Sequence, residues 1–100
     1  MIITKTINQN NITLSLSGRI DTLTSIQLSN EIEKNLEVET FNLILDFKEI
    51  NYISSAGLRV IIDAQKKISS LNKKMEIIHA ADTVKNIFDI TGFSKILTIS

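Results

Sequence analysis

The sequence contains no cysteine and no proline, a single histidine and three glycines, and aromatic residues make up only 5% of it. Without cysteine there can be no disulfide, no thiol catalysis and no cysteine-based zinc site. His79 alone cannot furnish a histidine-rich metal site. Formal net charge is zero, with 11 basic residues against 11 acidic ones, so the basic patch that nucleic-acid binding requires is missing. No apolar run approaches the ~20 residues of a membrane span. The opening Met1-Ile2-Ile3-Thr4-Lys5 lacks the charged region and long apolar core of a signal peptide. A cytoplasmic protein with no nucleic-acid partner and no membrane insertion is expected. The lack of proline removes one kind of turn signal, but Asn and Gly mark most of the turns.

What is present is an ordinary core. The hydrophobic fraction is 43% over 100 residues, enough for one domain, 1–100, and too little chain for two. Ile2 to Ile7 reads as a first strand, and Asn8-Gln9-Asn10-Asn11 as a turn favoured by the left-handed tolerance of Asn. Ile12, Leu14 and Leu16 alternate with Thr13, Ser15 and Ser17, the period of a strand with one buried face. Two strands so closely joined predict an antiparallel hairpin. Gly18-Arg19-Ile20-Asp21-Thr22 reads as a loop, with Thr22 or Thr24 capping a helix that buries Leu28, Ile32 and Leu36. Glu37-Val38-Glu39-Thr40 is the expected connection to a doubly buried strand over Leu43 to Phe47.

A central helix is predicted from about Ser55 to Leu71, burying Leu58, Ile61, Ile62, Ala64, Ile68 and Leu71, with Asp63 paired to Lys67 one turn on. Met75, Ile77 and Ile78 form another strand ending near His79. A third helix from about Asp82 carries Val84, Ile87, Phe88 and Ile90 on its apolar side, and Gly92 stops it in left-handed geometry. Ile96, Leu97 and Ile99 make a short last strand. The order β-β-α-β-α-β-α-β predicts an α/β fold, a mixed and mostly parallel sheet of about five strands with three or so helices.

The chemistry points to one place. A buried strand runs through a polar loop into a helix that begins at Ser54-Ser55-Ala56-Gly57. This sets two serines at the carboxyl edge of a sheet, where α/β proteins concentrate function. A serine there can cap the helix or carry a phosphate, because the first turn has unpaired N–H groups and the positive end of the helix dipole. Gly57 costs the helix about 1 kcal/mol relative to alanine, which is offset where a neighbouring surface approaches closely, whether a partner's or the protein's own. Asp21 should lie on the same edge as a cap, a turn carboxylate or a site residue. Asp46 is expected to end its strand and fix the next turn. The nucleophile elbow Gly-x-Ser-x-Gly is absent and His79 lies in a different crossover, so serine hydrolysis is disfavoured. No glycine-rich phosphate cradle supports nucleotide chemistry. Neither a catalytic residue, a metal nor a cofactor is expected.

At Tyr52-Ile53-Ser54-Ser55-Ala56-Gly57-Leu58-Arg59-Val60 the sequence resembles the STAS domains, and among them the bacterial anti-sigma factor antagonists. Gly18-Arg19-Ile20-Asp21 resembles the family's Gly-x-Leu-Asp loop. Ile44-Leu45-Asp46-Phe47 is similar to its central strand, and Ile87-Phe88-Asp89-Ile90-Thr91-Gly92-Phe93 to its third helix and stop. The resemblance covers nearly the whole chain, in order. It implies a STAS-type fold and a protein that is not an enzyme but a kinase substrate. Such a protein binds an anti-sigma factor serine kinase when unphosphorylated, is released on phosphorylation of Ser55, and is reset by a serine phosphatase. Asp21, Thr22, Ser54, Ala56, Gly57 and Arg59 would then meet the partner around the acceptor. Ser54 stands where many members carry an acidic residue and is a second candidate acceptor. The family commonly adds a final helix beyond the last strand seen here; its apparent absence would leave the sheet end bare for a partner or for a second copy in a homodimer. The competing expectation is a STAS interaction module of another signalling or transport complex, in which Ser55 only caps its helix.

Overall fold

The structure, a computed structural model, describes residues 1–36 and 42–100; the expected connection over Glu37 to Thr40 lies outside them. Strand β1 (Ile2–Asn8) folds back on β2 (Asn11–Ile20) in the antiparallel hairpin that the alternation predicts, with Asn8 opposite Asn11. The left-handed residue of its turn is Gln9 (φ 53°), not one of the asparagines. Helix α1 (Thr22–Leu36), β3 (Asn42–Ile53), α2 (Ser55–Ser70), β4 (Met75–Ile78), α3 (Asp82–Ile90) and β5 (Thr98–Ile99) follow. A single 3₁₀ turn, Phe93–Lys95, precedes β5.

The five strands lie in the order β1-β2-β3-β4-β5, parallel from β2 onward. Each crossover therefore steps one strand in the same direction, and right-handed connections put all three helices on one face. That face is apolar because register aligns alternate residues across the sheet: Leu14 beside Leu45, and Leu45 beside Ile77. Leu28 and Ile32 of α1, Ile61 and Ile68 of α2, and Val84 and Phe88 of α3 close over it in one buried cluster. Phe88 meets Phe47 with ring centroids 6.5 Å apart. The other face carries half-buried Thr13, Ser15, Ile44, Asp46 and Glu76, so β3, expected to be buried on both faces, is fully buried on one only, because all three helices cover the same side.

Several boundaries differ from the sequence reading, for identifiable reasons. Gly18, Arg19 and Ile20 continue β2, and Lys48 to Ile53 continue β3, where loops were expected. The pairing of β2 with β3 slips twice, between Ser15 and Ser17 and between Gly18 and Ile20. At each slip β3 spends one extra residue, so its buried positions change from every second (Leu43, Leu45, Phe47) to every third (Ile50, Ile53). Asp46 consequently lies within β3 instead of ending it.

Ile90 is 85% exposed and does not join Val84 and Phe88 in the core; Leu71, expected on the buried face of α2, is its exposed C-cap; and Ile96 and Leu97 lie outside the two-residue β5. Gly92 behaves as expected: with φ 79° it follows α3 in the left-handed geometry that stops it. Lys67 bonds not to Asp63 but to Glu33 on α1, at 2.7 Å, while Asp63 faces Arg59 at 3.8 Å. No described helix is long and apolar enough to cross a membrane.

Candidate functional site

Strands β2 and β3 end side by side, with Ile20 opposite Ile53. Each runs into its helix within two residues, so α1 and α2 begin next to one another at the carboxyl edge of the sheet. The Ser54 amide donates to the Ile20 carbonyl at 2.8 Å and ties the two heads together. Asp21, Thr22, Ser54, Ser55 and Ala56 are gathered here, as the sequence reading anticipated.

The two serines divide the work. Ser54 has extended backbone (φ −85°, ψ 171°), and its Oγ accepts the Gly57 N–H at 3.1 Å, so Ser54 is the N-cap of α2. Ser55, the cap under the competing expectation, is instead the first helical residue. It is exposed, and among the described residues its hydroxyl makes no hydrogen bond.

Gly57 is buried, and the surface that approaches it belongs to the protein's own sheet. A β-carbon there would stand 2.5 Å from Ile20 Cγ2 and 2.8 Å from Ile53 Cγ1. The glycine lets α2 press its first turn onto the ends of β2 and β3, and so presents Ser55 outward. It shapes the edge from beneath instead of offering contact surface.

Asp21, not Thr22 or Thr24, caps α1. Its Oδ1 accepts the N–H groups of Leu23 (3.0 Å) and Thr24 (2.9 Å), while Thr24 Oγ1 accepts the Asp21 N–H at 2.8 Å. This reciprocal pair is a capping box with threonine at its third helical position. The Thr24 amide and hydroxyl, then the Leu23 amide and the Arg19 charge, hold the Asp21 carboxyl below the usual carboxylate range against the opposing effect of burial. Asp21 is thus a fixed anion at the edge. Thr22, in the first turn of α1, is exposed.

Beyond Ser55 an open groove of about 560 Å³ runs along α2, with Leu58 and Ile62 on one side and Thr91 and Phe93 on the other. Arg59 stands on its rim with 82% of its side chain exposed. The sequence reading did not find the Thr91–Phe93 wall, since its position depends on how the turn after Gly92 folds back. It also missed Arg19 stacking 4.2 Å over the Tyr52 ring, beside this edge; adjacent strand ends bring the two together. Asp46 and His79 pair elsewhere, Oδ1 to Nδ1 at 3.0 Å, and take no part in the edge. Among the described residues, no group of three or more His, Cys, Asp or Glu side chains could hold a metal ion.

Comparison with known proteins bears on the family and the fold. The family model of the STAS domain matches residues 3–100. The chain is 28% identical over 88 residues to an anti-sigma-B factor antagonist of Listeria monocytogenes, covering 88% of this chain and 77% of that one. In fold it is similar to the crystal structure of an anti-sigma factor antagonist from Mycobacterium paratuberculosis, with TM-score 0.88 and 17% identity over 98% of this chain and 83% of that one. It is also similar to the phosphorylated form of the Bacillus cell fate determinant SpoIIAA, with TM-score 0.77 and 12% identity over 99% and 91% of the two chains. With the family model spanning nearly every residue and the two capped helix heads meeting at one sheet edge, the chain belongs to the STAS domain family.

Proposed function

We propose that this protein is an anti-sigma factor antagonist that works by partner switching, with Ser55 as its phosphoacceptor. Unphosphorylated, it docks through the edge formed by Asp21, Thr22, Ser54, Ser55, Ala56 and Arg59 onto an anti-sigma factor that is also a serine kinase. The Ser55 hydroxyl then attacks the γ-phosphorus of ATP bound to the kinase; ADP leaves, and the hydroxyl proton passes to a base of the kinase. A serine phosphatase removes the phosphate and resets the cycle. The protein is the substrate in these steps and contributes no catalytic group or cofactor.

The observation that carries this reading is the division between the serines. Ser54 closes the helix, which leaves Ser55 exposed and unbonded at the same helix head. A phosphoserine carries about −1.5 to −2 charges at pH 7. The amino end of α2 tolerates that charge, so the fold survives modification. In a docked interface the same charge lies near Asp21, and desolvation with like-charge repulsion favours release. The switch therefore acts on binding, not on folding.

Incubation with ATP and the cognate kinase should raise the protein's mass by one phosphate, and Ser55→Ala should abolish the increase. Full-rate modification of Ser55→Ala would overturn the assignment.

A further inference from the structure

We propose that Arg59 is a mobile counter-ion that leaves Asp63 for the phosphate on Ser55, so that phosphorylation also rearranges the charged rim of the groove. The inference rests on the reading of Ser55 as the acceptor and concerns what the modified state does next. Ser55, Arg59 and Asp63 are spaced by four residues on α2 and line the same groove, which makes them successive neighbours on one helix face. Arg59 is the middle member. Helical side chains tend to lean toward the amino terminus, so from its Asp63 contact the exposed Arg59 can swing back over the turn that begins at Ser55.

Its present engagement is slight. Arg59 Nε lies 3.8 Å from Asp63 Oδ2, with 82% and 64% of the two side chains exposed. A single long contact of that kind holds a guanidinium weakly. A phosphoserine dianion one turn away offers more charge and three oxygens, which the planar guanidinium fork can engage in a bidentate way. The remaining charged groups around the acceptor are Lys66, further along the groove, Asp21, at the head of α1, and Arg19, which stacks on Tyr52 and acts on Asp21 from the end of β2; the facing wall contributes the uncharged Thr91 and Phe93. No other cation lines the groove as close to Ser55 along the helix. Once Arg59 moves, Asp63 loses its partner and the rim changes from a neutralised pair to a free carboxylate. A partner that reads this groove would then meet two altered positions instead of one.

The test uses full-length protein with phosphoserine installed at position 55 by genetic encoding, so it does not depend on any kinase. Phosphorus NMR follows the second ionisation of the phosphate. Arg59→Gln should raise that pKa by about 0.3 unit, the size expected for one exposed ion pair. Lys66→Gln, which removes a more distant cation, should leave it unchanged. The Arg59 Nε–H resonance should also shift on phosphorylation in the parent protein. An unchanged phosphate pKa in Arg59→Gln, or an equal rise in Lys66→Gln, overturns the inference. Either result leaves Ser55 intact as the acceptor, since that reading is tested separately by kinase modification of Ser55→Ala.

Discussion

The Ser54 amide and the Ile20 carbonyl, 2.8 Å apart, join the start of one crossover helix to the end of the neighbouring strand. Through that bond the Asp21 capping box and the Ser54 cap become parts of one surface, although they are more than thirty residues apart in the chain. The consequence is a pair of capped helix heads that presents the exposed Ser55 hydroxyl between them.

The two serines should separate in experiment. Ser54→Ala removes the α2 cap and should cost about 1 kcal/mol, lowering the melting temperature by about 4–8 °C, while Ser55 remains available to a kinase. Ser55→Ala should stay within about 0.5 kcal/mol of the parent yet lose modification. Thermal melts and phosphosite mapping on both variants check the pair; equal loss of stability would contradict the assignment of the cap.

Gly57→Ala should destabilise the protein despite the better helix propensity of alanine. The new methyl would collide with Ile20 and Ile53, and overpacking of this kind costs about 1–3 kcal/mol. The gain in helix propensity offsets up to about 1 kcal/mol. Urea denaturation measures the balance, and a variant more stable than its parent would show that the head of α2 has room to move.

Asp46 supplies a pH-dependent contribution. Burial pushes its carboxyl up, but the Lys48 amide at 2.9 Å, the His79 ring and the Lys48 charge together outweigh this and hold it below the usual range. A carboxylate depressed in the folded state stabilises above its unfolded pKa of about 3.9, and that contribution is lost as pH falls through the folded value. Stability measured from pH 6 downward, on the order of three pH units, should therefore fall more steeply in the parent than in Asp46→Asn. Parallel curves would remove Asp46 as the cause.

The Glu33–Lys67 bridge between α1 and α2 is about half exposed on both sides, and such pairs contribute about 0.2–1 kcal/mol. A double-mutant cycle with Glu33→Gln and Lys67→Gln should find a coupling in that range at low salt. At 1 M salt the coupling should weaken, because the Debye length shrinks to about 3 Å, close to the 2.7 Å between the charged atoms. A coupling that does not change with salt would point to a pair better shielded than its exposure indicates.

Most of the architecture was legible in the chain itself. The alternation of Ile12, Leu14 and Leu16, the helical spacing of Leu58, Ile61, Ile62 and Ile68, and the glycine stop at Gly92 are patterns of local periodicity. Such patterns survive folding because each records which side of its own element meets the core. The serine-rich start of α2 was visible for the same reason, as a polar break between two apolar runs.

Other features required the folded chain. The two slips of β3 against β2 turned Lys48 to Ile53 from apparent loop into strand, because a spacing of three matches neither regular period until a partner strand absorbs the extra residues. That Asp21, among the candidate caps Asp21, Thr22 and Thr24, closes α1 was decided by β2 running on to Ile20. Which serine closes α2 and which faces outward depends on where the strand stops and how closely Gly57 lets the helix approach. Those are distances between segments remote in sequence, and no local pattern of residues encodes them.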